Sequence, residues 1–595
     1  MGMDLKKTIG KFIVWRSRNI NDRYFVIILS AVIGFLAGIA AYILKTSVFY
    51  IQEILTSQFR TQEQNYLYVL YPAVGIFLTL FFFRFLLRDE TKHGIPRILY
   101  AISRMEGKIK RNRIFSSLVG SSLTAGFGGS IGLEAPIITT GSSIGSNLGQ
   151  LLRMNYRTTT LLIGCGAAGA MASIFTTPIA AVIFSLEVLM LDLTTSSIIP
   201  LLLASAIGAI TTKLLMAEQI LFNFELTDPF LVRDVPFYLL LGFLTGMVSL
   251  YFNRMSNMVE EAMDRLDNIY VRALTGVGVL GLLIFIFPPL YGEGYDAIRT
   301  IINEDPTGLT TRGFFYEFRQ NAWIFVLFIV FLILLKVIAT TLTMESGGIG
   351  GIFAPSAVTG GLTGFVFARF INQLDLFRPL SETNFTLVGM AGVLGAVLHA
   401  PLTAIFLIAE MTNGYILIVP LMLTSTISFI TIKIFDPHSI FTKKLAERGE
   451  LITHHKDQAV LTLLSLRDVI DKDIITISPD ATLGDLTKVI SQSKRNLFPV
   501  VEESGDFVGM VILDDVRKDM FDSSRYDTPV SNYIFRPGED EKISVNDSME
   551  TVMNKFKSTG NYNLLVLDRD KYVGFVSRAN VFNAYRQTLI DVSHE

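Results

Sequence analysis

Long apolar runs interrupted by glycines dominate the chain up to about residue 435. The first two, at 24–44 and 66–87, are long enough to cross a bilayer, because about 20 helical residues span its hydrocarbon core. Several later runs are unusually short or broken by glycine. From about residue 466 onward the pattern is that of ordinary soluble protein. The chain is therefore predicted to contain a membrane domain of many helices and a separate soluble tail.

Composition supports this division. Half of the 595 residues are hydrophobic, only 17% are charged, and the mean hydropathy is +0.47. A chain of this length also exceeds what one hydrophobic core supports. The net charge of -2 gives no indication of a nucleic-acid partner. The one cysteine, Cys165, excludes an intrachain disulfide, and its small neighbours indicate close helix packing rather than a catalytic thiol.

Basic residues predict the orientation in the membrane. They are frequent in the segment 1–23, which has no compact signal-peptide pattern, and in the loop GKIKRNR at 107–113. Because cytoplasmic loops are rich in lysine and arginine, the N-terminus and this loop are predicted to be cytoplasmic. The expected surroundings of the apolar runs are the lipid bilayer of the cell membrane.

Two blocks of sequence recur in the second half of the membrane domain. The block at 166–187, GAAGAMASIFTTPIAAVIFSLE, aligns without gaps on GMAGVLGAVLHAPLTAIFLIAE at 389–410, with a constant offset of 223 residues (389 minus 166). The block at 128–145 aligns on 347–364 with an offset of 219 (351 minus 132). Two collinear blocks indicate a duplication. Duplicated halves with broken helices are typical of transporters whose binding site lies near the membrane midplane.

Each repeat contains a glycine-rich turn followed by proline, GLEAP at 132–136 and GIFAP at 351–355. Proline suits the first turn of a helix, where its missing N–H would have no partner. A helix start of this kind presents free N–H groups and the positive end of the helix dipole, so it favours an anion. Partial charges attract the ion and still let it leave, as conduction requires.

These turns resemble signatures of a known family, the CLC chloride channels and proton/anion antiporters. The signatures GSGIP, GREGP and GxFxP are similar, in that order, to KHGIP at 92–96, GLEAP and GIFAP. The resemblance covers nearly the whole chain. It implies an all-α polytopic membrane domain of two inverted repeats with broken helices, assembled as a homodimer with one ion pathway in each subunit. Chloride or a similar small anion is the implied permeant ion, and no cofactor is required.

The resemblance assigns roles to individual residues. Glu134 takes the place of the gating glutamate, whose carboxylate occupies an anion site and moves aside for ions. The backbone N–H groups of Ile352 and Phe353 match the central anion ligands. Gly132 and Gly351 lie in the same two turns and are further anion-site candidates. The other pore-motif positions are Gly94, Ile95, Pro96, Pro136 and Pro355.

Three positions depart from the family pattern. His93 replaces the serine of the first signature, and could donate a hydrogen bond to an anion, hold a proton or turn away. Phe441 replaces the tyrosine of the conducting path and lacks its hydroxyl donor. Val188 stands where antiporters have an inner, proton-carrying glutamate, while Glu187 and its repeat Glu410 are expected to have a shared structural role in helix packing or hydrogen bonding. Passive, pH-modulated conduction is therefore favoured, and proton-coupled antiport remains the alternative because some family members exchange protons without the inner glutamate.

The soluble tail has its own repeat. A strand–helix–strand–strand order is predicted at 469–516 and again at 541–581. It resembles a cytoplasmic α/β CBS-domain pair, which would place both termini inside the cell. Such pairs often bind adenine nucleotides through Ser or Thr and an Asp three residues later. Here the positions hold Ile512 with Asp515 and Ser577 with Asn580, so neither pattern is complete and a role in dimerisation or in sensing another signal is as well supported.

The predicted domains are a cytoplasmic segment 1–23, a membrane domain 24–440 (repeats about 24–220 and 235–440), a linker 441–465 and CBS domains 466–525 and 526–590. A membrane enzyme is disfavoured because no nucleophile with a base and no metal cluster is evident, and His454 and His455 lack metal-ligand spacing. A magnesium transporter would need acidic clusters facing a pore. A membrane sensor that does not conduct remains an alternative.

Overall fold

The computed structural model of the chain describes residues 10–11, 13–16, 18–57, 69–88, 94–191, 194–216, 228–303, 306–310, 315, 321–412, 415–447, 464 and 466–593. The chain forms two compact units, Met1–Leu451 and Ile452–Glu595. His93, His454 and His455 lie outside the described residues.

Helices joined by turns and short loops make up the described ranges of the first unit. Its helices are α1 (Asp22–Ser57), α2 (Tyr71–Phe81), α3 (Ile95–Arg104), α4 (Arg113–Gly126), α5 (Glu134–Leu151), α6 (Tyr156–Phe175), α7 (Pro178–Glu187), α8 (Thr195–Met216), α9 (Val235–Asp264), α10 (Ile269–Ile286), α11 (Tyr295–Asn303), α12 (Ala322–Glu345), α13 (Phe353–Gln373), α14 (Glu382–Leu398), α15 (Pro401–Met411), α16 (Ile418–Phe435) and α17 (Lys443–Glu447). Among the described residues, seven helices are long and apolar enough to cross a membrane. The many-helix prediction is confirmed.

Broken helices follow from local sequence. A left-handed residue separates α6 from α7 (Thr176, φ 58°) and α14 from α15 (His399, φ 54°). Each is followed two residues later by a proline, Pro178 or Pro401, that lies in the first turn of a new helix. Proline cannot donate to a preceding turn, so it tends to begin a helix rather than continue one. Both breaks lie at matching positions of the duplicated blocks.

The two repeats pack their central helices in the same way. A Cβ on Gly141 of α5 would lie 2.1 Å from the carbonyl oxygen of Gly166 on α6. A Cβ on Gly360 of α13 would lie 2.3 Å from the carbonyl oxygen of Gly389 on α14. Backbones this close leave room only for glycine at both crossings. The buried Cys165 lies beside this tight contact, as its small neighbours predict.

The end of the membrane unit differs from the predicted linker, which starts at residue 441. Phe441 and Leu445 are each only 7% exposed and belong to the hydrophobic core of the membrane unit. Lys444 of α17 also pairs with Glu260 of α9. The side chains of Phe441 and Leu445 bury apolar surface against the helices, so the segment that ends at Glu447 packs with the membrane unit.

The described residues of the second unit form three small hydrophobic clusters around short strands. Its elements are α18 (Leu466–Val469), β1 (Ile470–Asp471), α19 (Leu483–Gln492), β2 (Leu497–Val501), β3 (Phe507–Ile512), α20 (Leu513–Val516), β4 (Lys542–Ser544), α21 (Met549–Thr559), β5 (Asn563–Asp568), β6 (Lys571–Ser577) and α22 (Arg578–Ser593). One sheet has the order β1-β6-β5-β4, and β2 pairs with β3. The predicted strand–helix–strand–strand order is confirmed, with the first strand of the first copy reduced to a parallel bridge between Ile477 and Val500.

Candidate functional site

The two motif turns meet each other directly. The Gly132 N–H donates to the Gly351 carbonyl (2.8 Å), and the Gly351 N–H donates to the Gly132 carbonyl (2.9 Å), as an antiparallel pair. Because equivalent residues of the two repeats exchange identical bonds, the repeats are related locally by a two-fold axis. The helices α5 and α13 therefore begin next to each other.

Glu134 is the first residue of α5 and is only 1% exposed. The Tyr295 hydroxyl donates to its Oε1 (3.0 Å). Its Oε2 has no hydrogen-bond partner among the described residues. A Cβ on Gly132 would lie 2.1 Å from this oxygen and 3.1 Å from the Ala354 nitrogen, which places the carboxylate beside the start of α13.

The start of α13 leaves backbone donors open. No side chain caps this helix, and within the described part of the chain the N–H groups of Ile352 and Phe353 donate no hydrogen bond to the protein. The Phe353 ring is buried and packs against Phe175 at a centroid distance of 5.6 Å. Unsatisfied N–H groups at a helix start attract negative charge, which is what the predicted anion ligands require.

A second carboxylate lies at the start of α5. Glu293, in the loop YGEGY at 291–295, accepts a hydrogen bond from the Leu133 N–H through Oε1 (3.1 Å). The loop is attached to the first repeat by its backbone, since the Gly292 N–H donates to the Gly128 carbonyl (3.0 Å). Leu133 corresponds to Ile352 in the other repeat at the offset of 219. One of these two equivalent N–H groups is thus paired with a carboxylate and the other is open.

Two lysines approach the same region. Lys336 of α12 is 1% exposed, and its Nζ donates to Ser130 Oγ (2.9 Å) and to the Gly292 carbonyl (2.8 Å). Lys45 of α1 donates to the Ile174 carbonyl (2.5 Å) and interacts electrostatically with Glu134 and Glu293. A buried charge is costly unless it has partners. Backbone carbonyls and Ser130 accept hydrogen bonds from these lysines, and Lys336 also interacts electrostatically with Glu293.

Sequence reasoning missed four residues of this site: Lys45, Glu293, Tyr295 and Lys336. Both lysines could have been noticed as isolated charges in long apolar runs, since such charges are expensive in a membrane and mark functional positions. A second signal is Leu133, which stands where the family signature GREGP has arginine. The turn itself carries no positive charge, whereas Lys45 and Lys336 approach this region from α1 and α12.

Comparison with known proteins agrees with this arrangement. A model of the voltage gated chloride channel family matches residues 74–433, more than half of the chain. The chain belongs to this family. A CBS domain model matches residues 466–522 of the soluble unit.

Several similar proteins are named as proton/chloride exchangers or CLC transporters. The H(+)/Cl(-) exchange transporter ClcA of Vibrio campbellii is 26% identical over 455 residues, covering 74% of this chain and 92% of that protein. The crystal structure of a slow cyanobacterial Cl-/H+ antiporter superposes with a TM-score of 0.61 at 23% identity, covering 73% and 99% of the two chains. A eukaryotic CLC transporter gives a TM-score of 0.57 at 17% identity, covering 94% and 99%. The predicted fold class is confirmed.

The duplicated glutamates of this family member have a clear structural role. Glu187, at the end of α7, accepts hydrogen bonds from the Thr403 N–H and hydroxyl (both 2.8 Å) and from the Leu402 N–H (3.2 Å). Glu410, at the end of α15, accepts from the N–H groups of Ala180 (2.8 Å) and Ile179 (3.1 Å). Each repeat thus caps a helix of the other, which confirms the shared structural role expected for the pair.

Two of the departures from the family pattern, Val188 and Phe441, are buried. Val188 follows the last residue of α7 and is 5% exposed, and its N–H donates to the Phe184 carbonyl (2.9 Å). Phe441 is buried in the membrane core. Gly94 has a φ of 115° directly before α3, which begins with Ile95 and Pro96. A left-handed φ of this size explains glycine at that point of the first signature.

In the second unit, Ser577 uses its hydroxyl locally. Its Oγ accepts a hydrogen bond from the Asn580 N–H (3.0 Å) at the start of α22. Asp515 lies in the short helix α20, which follows β3. Within the described ranges, no group of three or more His, Cys, Asp or Glu side chains is placed to hold a metal ion.

Proposed function

We propose that the protein carries chloride or a similar small anion across the cell membrane through a pathway gated by Glu134, with one pathway in each subunit of a homodimer. One observation supports this most strongly. The buried Glu134 carboxylate lies beside the start of α13, where the N–H groups of Ile352 and Phe353 are open. His93, Phe441, Gly132 and Gly351 are proposed to line the same pathway.

The gate would work by competition. The carboxylate of Glu134 is a tethered anion at a place suited to a free anion, and each partial charge at a helix start contributes roughly 0.3 to 2 kcal/mol. Protonation removes the negative charge of the side chain and weakens its hold on these donors. An external anion then takes its place. Transport should therefore increase as the pH falls on the side from which Glu134 receives its proton.

We favour passive flow over proton exchange. The position beside Glu187 that would carry an inner glutamate holds the buried Val188, which cannot bind a proton. Proton-coupled exchange is the second candidate, because the Vibrio campbellii relative bears that activity in its name. Both mechanisms use the same gate, so they differ in whether protons cross in the direction opposite to the anion.

Proteoliposomes holding a chloride gradient separate the two candidates. Chloride efflux without proton movement is the expected result. Proton uptake against its own gradient, driven by chloride, would instead establish exchange. No chloride flux at any pH between 4 and 8 would contradict the transport proposal and leave the membrane sensor as the better hypothesis.

The gate itself is tested by Glu134→Gln, which mimics the protonated side chain without changing its size. We expect flux at pH 7.5 to rise severalfold and the pH dependence to be lost. Asp296→Asn is the matched control, since that carboxylate on α11 is 98% exposed. Imposing the pH change on one side at a time identifies the side that supplies the proton. A variant as pH-sensitive as the parent would refute the gate assignment.

The soluble tail is proposed to lie in the cytoplasm together with the N-terminus, as a CBS-domain pair that assists dimerisation or responds to a signal. Adenine nucleotide is the first ligand to test, by calorimetry with ATP and AMP on the full-length protein. The role of Ser577 as a helix cap is a reason to expect no binding through that residue.

A further inference from the structure

Glu293 occupies a special position with respect to the repeat symmetry. Its carboxylate accepts the Leu133 N–H at the start of α5. The equivalent N–H at the start of α13, that of Ile352, donates to nothing within the described residues. If the open N–H receives the permeant anion, then Glu293 stands at the corresponding place in the first repeat as an anion that belongs to the protein.

Desolvation and the Glu134 carboxylate raise the pKa of Glu293, and the Leu133 N–H and Lys45 act against that rise. Besides the Leu133 N–H, Glu293 interacts electrostatically with Lys45 and Lys336. The opposing groups are the carboxylates of Glu134 and the exposed Asp296. Tyr295, the first residue of α11, uses its hydroxyl on Glu134 rather than on Glu293. Hydrogen bonds to a carboxylate and nearby cations both stabilise its ionised form.

We infer that Glu293 is a resident anion that fills the first half-site and sets how readily Glu134 takes up its proton. It excludes a free anion from the Leu133 N–H, so that only the start of α13 is open. Its negative charge also repels that of Glu134, and a nearby like charge makes proton uptake by a carboxylate more favourable. The gate therefore opens at a higher pH than it would beside a neutral neighbour.

This inference rests on the proposed function and is tested by the pH profile of anion flux in proteoliposomes. Glu293→Gln keeps an oxygen for the Leu133 N–H and removes the charge. We expect the midpoint of activation to move to lower pH by about one unit, a tenfold higher proton concentration, because repulsion of this kind is worth one to a few pH units for buried groups. Glu293→Asp retains the charge and should restore most of the parent midpoint.

Two further variants test the direction of the midpoint shift and whether Glu293 acts through Glu134. Lys45→Met removes a positive charge near both acids and should move the midpoint to higher pH. In the Glu134→Gln background, Glu293→Gln should shift nothing, because the titrating gate is absent. Asp296→Asn is the control for charge alone, and its shift should be much smaller than that of Glu293→Gln because an exposed charge is screened by water and salt.

The results distinguish this inference from the proposed function. A parent protein without flux, or a Glu134→Gln variant with full pH dependence, would defeat the proposed function. A parent with normal gating whose Glu293→Gln variant keeps the same midpoint, or moves it to higher pH, would overturn the inference alone. A shift of equal size in the Glu134→Gln background would show that Glu293 does not act through the gate.

Discussion

Helix starts in the membrane unit are treated in two ways. The helices α7 and α15 are each capped by a carboxylate at the end of the corresponding helix in the other repeat. Glu410 accepts hydrogen bonds from N–H groups at the start of α7, and Glu187 accepts them from those at the start of α15. The helices α5 and α13 begin back to back, and the start of α13 is approached by Glu134, a side chain held through one oxygen by Tyr295. The same interaction, a carboxylate at a helix start, therefore has two uses. A carboxylate on a helix start stabilises the fold where it is fixed, and we propose that it gates ions where it is free to leave.

Removing a fixed cap should give the largest change in stability. Glu187→Ala leaves two N–H groups and the Thr403 hydroxyl without their acceptor, and we expect the free energy of unfolding to fall by about 3 kcal/mol, the upper end for unsatisfied buried donors. Thermal unfolding in detergent measures the change. Glu187→Gln keeps one acceptor oxygen and should lose less than half as much.

The Glu187→Ala variant also tests whether a fixed carboxylate takes part in gating. The pH dependence of flux in Glu187→Ala, measured on the protein that remains folded, should match the parent. Unchanged thermal stability combined with altered pH dependence would show that Glu187 takes part in proton movement, and the distinction between the two kinds of helix start would be wrong.

An intermediate effect is expected from the paired glycines. A Cβ on Gly351 would lie 2.7 Å from Ala135 Cβ, which is attached directly to the helix backbone and cannot move away. Gly351→Ala should therefore lower the free energy of unfolding by about 2 kcal/mol through overpacking. A Cβ on Gly132 first meets Glu134 Oε2, at the far end of a flexible side chain.

Gly132→Ala should consequently lower the free energy of unfolding less than Gly351→Ala does. Its main effect should be on the position of the Glu134 carboxylate. Displacing the Glu134 carboxylate opens the pathway, so flux at pH 7.5 should rise and its pH dependence should weaken. The two variants make the same chemical change at equivalent positions of the two repeats. If both lower stability equally and neither alters flux, the movable carboxylate is not placed as we describe.

Much of this arrangement could be predicted from sequence because it repeats along the chain. The offsets of 219 and 223 residues predict which helices correspond, and the glycine-proline turns predict where α5 and α13 begin. Glu134 could be singled out because it is the difference between two matching turns. The structural use of Glu187 followed from its recurrence as Glu410.

The rest of the site depends on tertiary packing, and no sequence repeat indicates which residues form it. Glu293 and Tyr295 lie about 160 residues after the gate, in and directly after a loop that the Gly292–Gly128 backbone hydrogen bond holds beside it. Lys336 reaches the same region from the middle of an apolar helix. Their meeting requires the folded helices, since no periodicity links a residue of α12 to the turn before α5.

The smallest effect is expected in the soluble unit, where a helix start is capped by a neutral side chain. Ser577 accepts the Asn580 N–H at the beginning of α22. Replacing a serine cap by alanine costs about 1 kcal/mol in typical helices, so Ser577→Ala should lower the melting temperature of the full-length protein slightly. Its anion flux and gate midpoint should equal those of the parent, because a neutral cap in the second unit adds no charge to compete with an anion. A variant that loses a measurable response of flux to ATP would instead assign Ser577 to a nucleotide site, and the cap would be a secondary use of its hydroxyl.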